Sequence, residues 1–82
     1  MSPMNLTLQL QNNKASPVMA CFEMEAECVP LEPGVMYQLR LAWDHDQGPQ
    51  VGVVIGDEEV LVYSMTHKEL WRDGVLVWKG WV

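Results

Sequence analysis

Basic residues are scarce in this chain. Lys and Arg number 5 against 11 Asp and Glu, a formal net charge of −6 over 82 residues. A surface of that sign is repelled by nucleic acid and drawn to basic partners, although charge also keeps many proteins soluble and does nothing more. Cysteine is nearly absent. Two residues, Cys21 and Cys28, do not make a disulfide framework. Long apolar runs are missing, so nothing approaches the roughly 18 residues of a membrane-spanning helix. Met1-Ser2-Pro3-Met4 has no basic segment and Asn5 to Gln11 alternates in polarity. The expectation is therefore no signal peptide and a cytoplasmic protein. In that setting the two thiols are expected to be reduced and partly buried, although a hairpin centred on Met24-Glu25 would bring them face to face. With no repeat, linker or low-complexity segment, residues 1–82 read as a single domain.

Catalytic and metal patterns are also missing. Asp44-His45-Asp46 with Gly48 faintly suggests a calcium loop, but Pro49 takes the sharp-turn position and Ile55 stands where the closing Glu belongs. A plain polar loop accounts for it. His45 with Asp46, or His67 with Glu69, offers a base and its orienter, yet no Ser or Cys sits at nucleophile spacing. The acids lack a scaffold long enough for a hydrolase cleft, since so short a chain supports one modest core. The expectation is a non-enzyme with no cofactor and no bound metal.

What the chain does have is period-2 alternation. The clearest case follows the turn Leu31-Glu32-Pro33-Gly34, where Val35, Tyr37, Leu39, Leu41 and Trp43 fall on one face. Pro33 presets one turn corner and Gly34 tolerates the positive φ of the next, which fits a type II turn. Asn5 to Gln11 alternates Leu with polar residues, and Val18 to Glu23 continues the pattern. Pro30 marks Glu27 to Leu31 as an edge. Gln50 to Ile55 alternates weakly, with both faces expected to be covered. Val60 to Ser64 is dense in β-branched residues. Thr66 and Glu69 fit a capping box, but Asp73-Gly74 between apolar runs is a strong hairpin signal. The preferred pairing sets Leu70-Trp71-Arg72 against Val75-Leu76-Val77, after at most one helical turn. Seven or eight short strands predict a small antiparallel β-sandwich or barrel.

Charge is unevenly spread. Residues 1–64 carry nine acids against Lys14 and Arg40; the remainder is slightly basic. On an extended strand Glu23, Glu25 and Glu27 would line one face about 6.7 Å apart, comparable to successive phosphates of a nucleic acid. A turn at Met24-Glu25 would break that row, and a solvated outer face would need no partner. Glu32, Asp44, Asp46, Asp57, Glu58 and Glu59 extend the acidic surface. Arg40, the lone cation among them, is expected to pair with Glu23, Glu25 or Glu27. Four tryptophans exceed what the core needs. Trp78 and Trp81 lie near the end of the chain and, with Met36, are candidate contact anchors, unless these rings simply cap the sandwich.

The run Phe22-Glu23 through Val29-Pro30-Leu31-Glu32-Pro33-Gly34, followed by an alternating strand, resembles small uncharacterised bacterial and phage β-modules with an "FE…LxPG" pattern. By size and acidity the chain is also similar to phage-encoded anti-CRISPR proteins. That resemblance implies an inhibitor that occupies the basic DNA-binding surface of a CRISPR effector complex by DNA mimicry, with no direct contact to nucleic acid or membrane. The expected partner-binding set is Glu23, Glu25, Glu27, Glu32, Asp44, Asp46, Asp57, Glu58, Glu59, Met36, Trp78 and Trp81, on a monomer. Two other expectations stand beside it: a structural or adaptor module of a phage particle or homo-oligomer using exposed Trp and Met, and a sugar-binding sandwich using the C-terminal tryptophans.

Overall fold

A computed structural model describes residues 4–44 and 50–82. Eight strands form within them: β1 (Met4–Gln11), β2 (Val18–Glu23), β3 (Glu27–Leu31), β4 (Met36–Trp43), β5 (Gly52–Ile55), β6 (Glu59–Tyr63), β7 (His67–Arg72) and β8 (Val75–Lys79). They pair into two four-stranded sheets, ordered β1-β4-β7-β8 and β3-β2-β6-β5. The expected all-β sandwich is what the chain forms. Residues 66–72 contain no helical turn. His67 to Arg72 extends because Leu39 and Leu41 of β4 supply an apolar neighbour for its inward positions.

The turn into β4 has the expected geometry. The Glu32 carbonyl accepts from the Val35 N–H at 3.4 Å, and Gly34 has φ of 75°, as the second corner of a type II turn requires. Asn12 anchors this turn: its carbonyl accepts from the Gly34 N–H at 2.7 Å. The Asn12 amide donates to the carbonyls of Leu31 and Ser16. The strand that follows is interior to the first sheet, between β1 and β7. Its inward residues Tyr37, Leu39 and Leu41 join Ala20, Phe22, Leu31, Val62 and Leu70 in the core. Burying side chains of this size stabilises by about 1.5–3 kcal/mol each.

Several expectations need correction. Among the described residues the strands pair antiparallel except β2 with β6, which is parallel, and an isolated parallel bridge joins Asn12 to Pro33. The chain leaves the second sheet after β3, runs through β4, and returns through the β5–β6 hairpin, so no hairpin joins β2 to β6 and their relative direction is free to be parallel. The β7–β8 hairpin turns at Asp73-Gly74, both with positive φ, as a two-residue type I′ turn demands. Trp71 lies opposite Leu76 as expected, but the register then slips, so Leu70 pairs with Trp78 and not with Val77. This bulge turns the Trp78 ring inward. It stacks on Phe22 with centroids 4.1 Å apart, so Trp78 belongs to the packing and not to an exposed anchor pair.

The cysteines are not reduced thiols. Cys21 and Cys28 are Cα partners across the β2–β3 hairpin and are joined by a disulfide. Closing so short a loop contributes about 2–3 kcal/mol in the chain-entropy description. Disulfides persist in oxidising compartments and are rare where thiols are kept reduced. Among the described residues no helix is long and apolar enough to cross a membrane.

Candidate interaction surface

The registers sort the acids between two ends of the sandwich. At one end the β2–β3 hairpin turns through Met24, Glu25 and Ala26, and Ala26 takes a positive φ of 57°. That turn breaks the extended row expected for Glu23, Glu25 and Glu27. Glu25 swings inward and is 5% exposed. Its carboxylate meets the ammonium of Lys68, itself fully buried, with Nζ 3.1 Å from Oε1 and 3.2 Å from Oε2. Lys68 Nζ also donates to the carbonyls of Ser64 at 2.7 Å and Thr66 at 3.0 Å, so its three protons face three acceptor groups. Oε1 is close enough to count as an ion-pair contact but lacks hydrogen-bond alignment; the bond runs through Oε2. Gly80 leaves room for this pair, because a Cβ at that position would force the Glu25 carboxylate to shift. The Trp81 indole N–H donates to the Glu25 carbonyl at 3.4 Å.

Glu25 is therefore a structural residue, removed from the expected binding surface by burial. Glu23 is half-buried and Glu27 exposed at the same end. Asp44 is exposed where β4 finishes. Asp46 and His45 lie outside the described residues. Trp81 is 70% exposed, but with Trp78 packed on Phe22 the two rings do not form a shared platform for a sugar.

The opposite end is open. Met19 pairs with Glu59, the Met19 N–H donates to the Glu58 carbonyl at 2.9 Å, and Val18 pairs with Leu31 just before Glu32. The neighbouring turn carries Asp57, whose carbonyl accepts from Lys14 Nζ. These contacts gather Glu32, Asp57, Glu58 and Glu59, all exposed, at one end. Met36, also exposed, pairs with Gln11 at the same end. Between β1 and the β5–β6 turn lies a cleft of about 410 Å³ floored by Leu10, Val18, Leu31 and Val60 and rimmed by Lys14 and Asp57. Its size falls in the range of ligand-binding clefts.

The outer face of the first sheet holds a separate polar cluster. The Arg40 guanidinium lies 4.3 Å from the centre of the Trp71 ring, a cation–π arrangement. The Trp71 N–H donates to Glu69 Oε1 at 3.0 Å, and His67 Nε2 sits 3.3 Å from Glu69 Oε2. These bonds, the Trp71 one foremost, hold the Glu69 carboxyl below its ordinary range. The expected pairing of Arg40 with the Glu23–Glu27 acids does not form, because β4 and the hairpin lie in different sheets.

Lys68 is the residue that sequence reasoning missed. The signal was present: in an extended strand Lys68 shares parity with Leu70, which points into the core. Among the described residues no cluster of His, Cys, Asp and Glu could hold a metal ion. Comparisons with family models, with curated proteins and with solved structures found no match to this chain.

Proposed function

We propose that this chain is a non-enzymatic protein-binding module whose open acidic end docks on a basic, nucleic-acid-binding surface of another protein. One observation carries the proposal: Glu32, Asp57, Glu58 and Glu59 stand together in solvent beside an apolar cleft, with Met19 and Met36 at the same end. The carboxylates would steer association, and the cleft and methionines would supply the desolvated contact that charge alone does not. The contacting set is accordingly narrower than the twelve residues expected from sequence. Glu25 and Trp78 leave it, and Glu23, Glu27 and Asp44 lie at the other end.

The anti-CRISPR-like form, with DNA mimicry against an effector complex, is the specific version of this proposal. The disulfide weighs against it, since a bacterial cytoplasm keeps thiols reduced. The general form depends on complementary charge and not on compartment.

The test is competition. Purified nucleic-acid-binding proteins with basic grooves, CRISPR effector complexes among them, are titrated with the chain in the presence and absence of their DNA. DNA should displace the chain, binding should weaken steeply with salt, and the quadruple variant E32Q/D57N/E58Q/E59Q should bind at least about tenfold more weakly. Binding that ignores DNA, salt and these four substitutions would sink the proposal, as would a panel in which nothing binds.

A further inference from the structure

Strand β5 forms one edge of the second sheet. Val53 and Ile55 lie opposite Val62 and Val60, and Val62 is a core residue, so by register both point to the inner face. They are nonetheless 49% and 78% exposed, and Val54 on the outer face is 53% exposed. The first sheet does not reach over β5, and the expected covering of both its faces fails.

The free backbone can be assigned. The Gly56 N–H donates to the Glu59 carbonyl at 2.8 Å. In an antiparallel ladder bonded positions alternate, so Gly52 and Val54 bond to β6, while Val53 and Ile55 direct their N–H and C=O groups to the open edge. Open edges are normally blunted by charge, proline or bulges. The β3 edge carries Glu27 and Pro30. The β8 edge also exposes Val75, Leu76 and Val77, but a bulge breaks its ladder and Lys79 ends it. The β1 edge has polar outward residues at positions 5, 7, 9 and 11. Strand β5, Gly-Val-Val-Ile, has no such protection among the described residues and is apolar on both faces.

We infer that β5 pairs antiparallel with β5 of a second copy of this chain, joining the two second sheets across a two-fold axis. A two-fold perpendicular to a sheet matches positions of equal parity. The register centred on Val54 sets Val53 against Ile55 of the second copy and the reverse. Those are the residues with outward N–H and C=O groups, so both rungs close with paired hydrogen bonds. The same register buries the exposed inner-face side chains against each other. Charge permits a second copy despite the net −6. Asp57 falls opposite Val51, Glu58 opposite Gln50, and the two Glu58 residues end up about 27 Å apart, beyond the Debye length of about 10 Å. Four residues per copy make a small interface, so the dimer is a weak, concentration-dependent one.

The register gives a test that places position 54 against itself. Sedimentation equilibrium on the full chain should show reversible dimerisation below about 1 mM. V54K and V54E, each setting like charges directly opposite, should each weaken the dimer at least about tenfold. An equimolar mixture of the two should recover it as a heterodimer. Circular dichroism checks that the variants fold; Val54 is exposed, so they are expected to. T7K, on the β1 edge, should leave association unchanged. A wild-type chain that stays monomeric, a V54K or V54E chain that dimerises like wild type, a mixture that fails to recover, or loss of the dimer in T7K overturns the inference.

Discussion

At one end of the sandwich Glu25 is buried against Lys68; at the other, Glu58 stands in solvent beside Asp57 and Glu59. The residue type is the same, and local backbone decides between the outcomes. The Met24–Ala26 turn aims Glu25 inward at a lysine whose remaining protons are taken by two carbonyls. The β5–β6 turn leaves its acids on the rim of a cleft. An acid count measures neither a binding surface nor a stabilising network; the turn that carries each acid does.

The comparison is most easily broken at Lys68. In K68A the Glu25 carboxylate loses its partner inside the sandwich, and the expected cost is about 3–5 kcal/mol. For a domain of this size that is a large share of the total. A well-packed apolar double variant, E25L/K68M, should recover most of the loss, because buried ion pairs stabilise little relative to apolar replacements of similar volume. Urea unfolding measures both. A K68A loss below about 1 kcal/mol would mean that the pair is not shielded as described. By contrast the open-end variant E32Q/D57N/E58Q/E59Q should change stability by no more than about 0.5 kcal/mol per site, while weakening partner binding.

The smallest expected effect lies on the outer face of the first sheet. Glu69 is held below its ordinary titration range by its bond from Trp71. A depressed folded value contributes stability above the unfolded value of about pH 4.3, and that stability is lost as pH falls through the folded value. The stability gap between wild type and W71F should therefore narrow as urea midpoints are followed from pH 7 to below pH 4. A gap that stays constant or widens contradicts the assignment.

Much of the fold was legible because alternation and turn chemistry are local. Pro33-Gly34, Asp73-Gly74 and the inward run Tyr37, Leu39, Leu41 all act within a few residues of themselves. What escaped was tertiary. The parallel β2–β6 pairing joins segments some forty residues apart. The bulge that turns Trp78 onto Phe22 changes parity within an otherwise regular strand. The Cys21–Cys28 bridge could be placed by register, yet its formation depends on compartment. The acidic surface was legible as composition but not as arrangement, since the sequence alone did not show that Glu25 turns inward or that Glu32 joins Asp57, Glu58 and Glu59.

The contrast between the ends can be read in one titration. A lysine-rich peptide added to isotopically labelled chain at low salt should shift backbone amide resonances around Glu32, Asp57, Glu58, Glu59, Met19 and Met36. Those of Glu25 and Lys68 should stay still. Shifts centred on Glu23, Glu27 and Trp81, or spread evenly over both ends, would contradict the assignment of contact to the open end.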